Sequence, residues 1–125
     1  MPETLKWSFA AQVLAGPTLA GSGEIADVDA YVKLNVTIPA NGSQDVEVLT
    51  GTGGAVQLLV ISPAKPSADL TYERDGNDVP LDGPVVLIGA GAASLLAATI
   101  GTLKFKNTTA QDAAISILAA RDATP

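Results

Sequence analysis

Four short stretches of this chain hold residue types that could do chemistry. Gly51-Thr52-Gly53-Gly54 and Gly89-Ala90-Gly91 have the glycine content of phosphate-binding loops. The first lacks the Lys-Ser/Thr pair that grips phosphate and magnesium. The second lacks the third glycine and the downstream acid of a dinucleotide fingerprint. Both read as turns and bulges. Asp75-Gly76-Asn77-Asp78 has the oxygen-rich look of a calcium loop. Calcium takes about six to eight oxygens, and Asp82 is the one acid that follows nearby, so a solvated hairpin tip is the reading. Asp45 and Glu47 could supply a carboxylate pair of the glycosidase kind, yet they share the outer face of one alternating segment, as ordinary surface acids do.

Composition narrows the chemistry further. The chain has no cysteine and no histidine, which removes thiolate metal sites, disulfides, Cys nucleophiles and the commonest general base. A serine nucleophile would then need a lysine as base. Lys6, Lys33, Lys104 and Lys106 all alternate onto faces expected to be wet, where nothing desolvates them for such a role. No Gly-x-Ser-x-Gly elbow occurs. The expectation is a protein that is not an enzyme, with no cofactor and no metal. Thirteen acidic residues against seven basic give a net charge of −6. Seven scattered cations supply no footprint for nucleic acid. The sequons at Asn35, Asn41 and Asn107 read as turn and strand composition.

The elements that must carry these residues alternate with period two. Leu5, Trp7, Phe9, Ala11 and Val13 share one face, with Lys6, Ser8 and Gln12 opposite. Val28 to Ile38 is the cleanest strand, with Tyr31, Lys33 and Asn35 outward, and Pro39 to Ser43 turns the chain. Gln44 to Leu49 puts Val46 and Val48 inward. Ala55 to Ser62 is apolar on both faces apart from Gln57, which suits a central strand covered on two sides. Leu70 to Arg74 is a strand leading into a hairpin tip at Asp75-Gly76. Val79 to Pro84, with two prolines, runs along an edge. Val85 to Ile88, Leu103 to Phe105 and Ala113 to Ala119 are the remaining strands. Gly89 to Ile100 is a bent strand or loop, with room for one helical turn around Ser94 to Ala98.

About eight short strands at regular spacing, joined by Gly/Pro/Asn turns, define an all-β, antiparallel β-sandwich of jelly-roll-like type with little or no helix. At 125 residues the chain is one domain, 1–125, with flexible ends expected at 1–4 and 121–125. It should bury about two-thirds of its unfolded surface. No apolar run reaches the ~20 residues that span a bilayer. The start, Met-Pro-Glu-Thr-Leu-Lys-Trp, puts an acid where a signal peptide needs bases, so a protein made in the cytoplasm and acting away from membranes is expected. Two stretches, Gly89–Ile100 and Ala110–Ala120, are almost free of charge. Any exposed part of either would form an apolar patch that subunit association could cover.

Three segments carry a resemblance. Asp82-Gly83-Pro84-Val85-Val86-Leu87-Ile88-Gly89-Ala90-Gly91-Ala92, Leu103-Lys104-Phe105-Lys106-Asn107 and Ile117-Leu118-Ala119-Ala120-Arg121-Asp122-Ala123-Thr124-Pro125 look like segments of small, β-rich virion proteins of tailed bacteriophages, capsid decoration (cement) proteins among them. The resemblance spans roughly the last half of the chain and transfers no catalytic or binding residue. It implies a structural protein that binds the outside of a phage capsid as an oligomer, a trimer being favoured, and stabilises the shell. The implied partners are the major capsid protein and further copies of itself, and the implied location is the virion surface. The alternative is a tail, neck or fibre-associated β-domain. A carbohydrate-binding or adhesion module comes third, because with Trp7, Phe9 and Phe105 read as inward only Tyr31 and Tyr72 are left to stack on sugars.

An interface is expected on loops, edges and ends. The candidate residues are Pro63, Lys65 and Pro66 in one loop, Asp75, Asn77, Asp78 and Pro80 around the hairpin tip, and Arg121 and Asp122 near the C-terminus.

Overall fold

Period-two alternation becomes strands almost throughout. The structure, a computed structural model, describes residues 3–48, 56–74, 76–93 and 102–122. Among the described residues there are nine strands: β1 (Glu3–Gln12), β2 (Thr18–Ile38), β3 (Gly42–Glu47), β4 (Val56–Pro63), β5 (Ser67–Arg74), β6 (Asn77–Leu81), β7 (Val85–Ile88), β8 (Thr102–Asn107) and β9 (Ala113–Asp122). One helical turn, α1 (Ala90–Ala93), follows β7. The strands form a five-stranded sheet, β1-β2-β9-β4-β7, and a four-stranded sheet, β3-β8-β5-β6. All neighbours are antiparallel.

From β2 onward the chain changes sheet at every connection except the β5–β6 hairpin. That is the strand order of a jelly roll, with β1 added at one edge. The antiparallel sandwich expected from the sequence is therefore the fold. Its core lies between the facing sheets, as the pleat dictates. Leu34, Ile38, Leu59, Ile61, Ile115 and Ile117 come from one sheet, and Val46, Leu70, Tyr72, Leu81, Leu103 and Phe105 from the other. Phe105 is wholly enclosed.

Several local details follow the residue chemistry. β6 is an outer strand of its sheet, so Pro80 withholds no ladder hydrogen bond that a neighbour needs. Gly76 takes a φ of 82° in the β5–β6 turn, as a tight hairpin requires. In the Pro39–Gly42 turn it is Asn41, not the glycine, that adopts positive φ (55°), while the Gly42 N–H donates to the Pro39 carbonyl at 3.0 Å.

Three expectations need correction. β2 begins at Thr18, ten residues before the strand read from its hydrophobic pattern. Ala20, Gly21, Ser22 and Gly23 have poor strand propensity and are held extended by pairing with β1. Among the described residues the one helical turn is at Ala90–Ala93; the turn expected at 94–98 lies outside them, as do the glycines at 51–54. The ends expected to hang free contain paired residues: Glu3 pairs with Val28, and Arg121 and Asp122 close β9 against Ala30 and Val28. Finally, Trp7 and Phe9 do not enter the core, and Tyr72 does.

One polar side chain holds an end of the sandwich together. Asn107, at the end of β8, is 1% exposed. Its Nδ2 donates to the carbonyls of Ile38 (3.0 Å) and Gln111 (2.8 Å). Its Oδ1 accepts from the Thr109 N–H (2.9 Å) and the Thr109 hydroxyl (2.6 Å). The end of β2, in one sheet, is thus tied to the β8–β9 turn. Burial and full use of the amide also make this sequon a structural element. Asn107→Ala strands the enclosed Ile38 carbonyl and is expected to lower unfolding free energy by about 3 kcal/mol. Urea unfolding monitored by circular dichroism measures it, and a loss below about 1 kcal/mol would mean that water replaces the amide freely.

Candidate functional site

β4 lies between β9 and β7 and alternates apolar residues onto both faces. Leu59 and Ile61 point into the core, so Leu58 and Val60 point away from it. Cross-strand partners share a face, and the registers assemble two apolar rows on the outer side of the five-stranded sheet. The first is Tyr31, Ala120, Leu58, Ile88; the second is Lys33, Leu118, Val60, Val86. A third row, Asn35, Ser116, Ser62, is polar, with the Ser116 hydroxyl donating to Asn35 Oδ1 at 2.8 Å. The outer face thus grades from apolar near the C-terminal end of β9 to polar near its start.

β1 and the first part of β2 form a hairpin that runs on past the sandwich. β9 pairs with β2 only from Val28 to Ile38, and from Thr18 to Ile25 the pairing is with β1 alone among the described residues. Register shifts between Val28 and Ala30, and between Glu3 and Leu5, mark bulges at the root of this arm. Bulges bend and twist a strand. The bend brings Leu5, Trp7 and Ile25 onto Leu58 and Ala120, so the near half of the arm covers part of the first apolar row. The tip is closed by a Gly16 N–H to Val13 carbonyl bond of 2.7 Å, with Ala15 at a φ of 59° in the third turn position.

The arm is amphipathic along its whole length. Leu5, Trp7, Phe9 and Ala11 share a face with their partners Ile25, Gly23, Gly21 and Leu19. Lys6, Ser8, Gln12, Thr18, Ser22 and Glu24 take the other. Each ring lies over a glycine: a Cβ at Gly23 would sit 2.7 Å from Cζ2 of Trp7, and one at Gly21 2.7 Å from Cε1 of Phe9. The two rings are stacked, with centroids 6.1 Å apart and planes 12° from parallel. Beyond Trp7 no described residue covers the apolar face. Phe9 is 42% exposed, Val13 64%, Leu19 68% and Leu14 94%, and on the outer sheet face Val86 is 48% and Tyr31 58% exposed.

The residues singled out from the sequence do not form one site. Pro63 closes β4 opposite Ile115 and is buried, so it offers no surface. Lys65 and Pro66 are exposed and border a groove of about 460 Å³, floored by Leu70 and walled by Thr109 to Ala114. Its carboxylate, Asp112, accepts the Ala40 N–H at 2.9 Å. Asn77, Asp78 and Pro80 are exposed on β6. Asp78 pairs with Lys106 at 3.2 Å, both well exposed, a contact worth under about 1 kcal/mol. Asp75 lies outside the described residues. Arg121 and Asp122 stand at the arm end of the sheet, opposite the Lys65 loop. The surface that sequence reasoning missed is the arm with the outer face beside it. A signal was present: the segment from Trp7 to Gly23 contains no charged residue.

Comparison with protein-family models, curated proteins and solved structures finds no match to this chain.

The glycines under the rings give a direct check. Gly23→Val is expected to lift Trp7 off the strand, shift the emission of this sole tryptophan to longer wavelength and lower stability by about 1–2 kcal/mol. Ser22→Val, on the polar face, leaves the emission unchanged. An identical spectrum for both variants would show that the ring does not lie over Gly23.

Proposed function

We propose that this protein is a structural component of a tailed-phage virion that binds the outside of the capsid as an oligomer, a trimer being favoured, and stabilises the shell. One observation carries the reading: the jelly roll exposes large apolar residues along the far half of the arm, and at Tyr31 and Val86 on the outer sheet face, that no described residue covers. A soluble acidic protein rarely exposes such a surface unless something else covers it. The fold alone does not decide the matter, since jelly rolls serve capsids and lectins alike. The surface favours a docking body. The segments that resemble phage virion proteins make up β7, β8 and β9, and Val86, Ile88, Leu118 and Ala120 within them build the apolar rows. The glycan-binding alternative loses Tyr72 to the core but regains Phe9, which is 42% exposed although its alternation reads as inward.

Quantitative mass spectrometry of purified particles tests the location. The expected result is about one copy per capsid subunit or a simple fraction of it, consistent with closed symmetry. A few copies per particle would move the protein to the tail or neck. Particles lacking the protein are expected to release DNA at a lower temperature, and an unchanged release temperature would sink the stabilising role.

A further inference from the structure

We infer that the far half of the arm is a self-association element, seated on the outer sheet face of a second copy of this chain, over Tyr31, Leu118, Val60 and Val86. This deepens the oligomer part of the reading above and does not require the larger partner to be a capsid.

The near half of the arm shows what the far half fits. Leu5, Trp7 and Ile25 already lie on Leu58 and Ala120, so this hairpin face and this sheet face are complementary within one molecule. The face continues along the arm through Phe9, Ala11, Val13 and Leu19, and the sheet face continues into the row of Leu118, Val60 and Val86. The arm's continuation stays exposed in the single chain; on the sheet face Tyr31 and Val86 are exposed, while Leu118 and Val60 are half-buried. A second copy supplies the missing half of each.

Charge favours the same occupant. Each copy carries −6, so approach is opposed wherever acidic surfaces meet. The arm brings no charge between Lys6 and Glu24, and the receiving row contributes Lys33, a cation facing an acidic neighbour.

Light scattering on size-exclusion-purified intact protein reads the outcome. The wild-type chain is expected to run as a closed dimer or trimer. Phe9→Asp with Leu19→Asp is expected to give the monomer mass. Leu14→Asp at the tip and Val86→Asp on the receiving face should each weaken association at least tenfold. Both are exposed positions, so an unchanged circular-dichroism spectrum checks that the fold persists. Ser8→Asp, on the polar face of the arm, should leave the oligomer intact. A monomeric wild-type chain at about 100 µM, or an oligomer that survives Phe9→Asp/Leu19→Asp, would overturn the inference. A monomer whose particle binding is lost with the same double substitution would also overturn it, giving the arm to the capsid while the virion reading stands. An arm-dependent oligomer absent from particles would do the reverse.

Discussion

A β-sheet that is apolar on both sides must be covered on both sides, and a two-sheet sandwich covers only one. That constraint governs this molecule. It arises in β4, where Leu58, Leu59, Val60 and Ile61 follow one another without a polar break, and in β9, where Leu118, Ala119 and Ala120 do the same. The four-stranded sheet buries Leu59, Ile61 and Ala119. Leu58, Val60, Leu118 and Ala120 are left on the far side, where each ~100 Å² of exposed apolar surface forgoes about 2.5 kcal/mol. Folding the β1–β2 hairpin back over the outer face recovers part of this. The bulges at its root are the geometric means, since an unbroken strand would carry the hairpin straight on in the plane of the sheet.

The two ends of the sandwich are consequently different in kind. At the end holding the β2–β3, β4–β5 and β8–β9 connections, loops are tied by hydrogen bonds. Asn107 links Ile38, Thr109 and Gln111, Asp112 holds Ala40, and Thr108 donates both its N–H and its hydroxyl to the Asp69 carbonyl at 3.0 Å. Such an end has its backbone groups satisfied internally and has little left to offer a partner. At the other end the unmet demand is apolar, and apolar demand is met by area with no fixed geometry. The first end is closed by hydrogen bonds, and the second leaves apolar surface exposed.

The sandwich was legible because its strands obey period two against a single core. Val28 to Ile38, Leu103 to Phe105 and Ala113 to Ala119 each place one residue type inward and another outward, and the turn residues fall between them. The edge position of Pro80 and the central position of β4 followed from the same physics. The arm was not legible, for two reasons. Its second strand is built from Ala20, Gly21, Ser22 and Gly23, whose extended state comes from pairing with β1 and from the rings above them, so no local signal announces it. Its first strand has the alternation of a core strand, and periodicity states which residues share a face without stating what that face meets. Trp7 and Phe9 therefore read as core residues although they face the outside. The loop residues chosen as an interface, Lys65 and Asn77 among them, were selected as exposed and irregular; Pro63 shows that proline beside a loop can also close a buried strand.

The pairing of large rings with glycine helps an exposed two-stranded arm hold together. A two-stranded ribbon alone in water is only marginally stable. Here Trp7 and Phe9 lie across Gly23 and Gly21, in the manner of aromatic residues that compensate for glycine in a strand. Each ring packs on the opposite backbone, and the two rings stack with planes 12° from parallel. The same glycines that hide the strand from its sequence therefore make room for the rings.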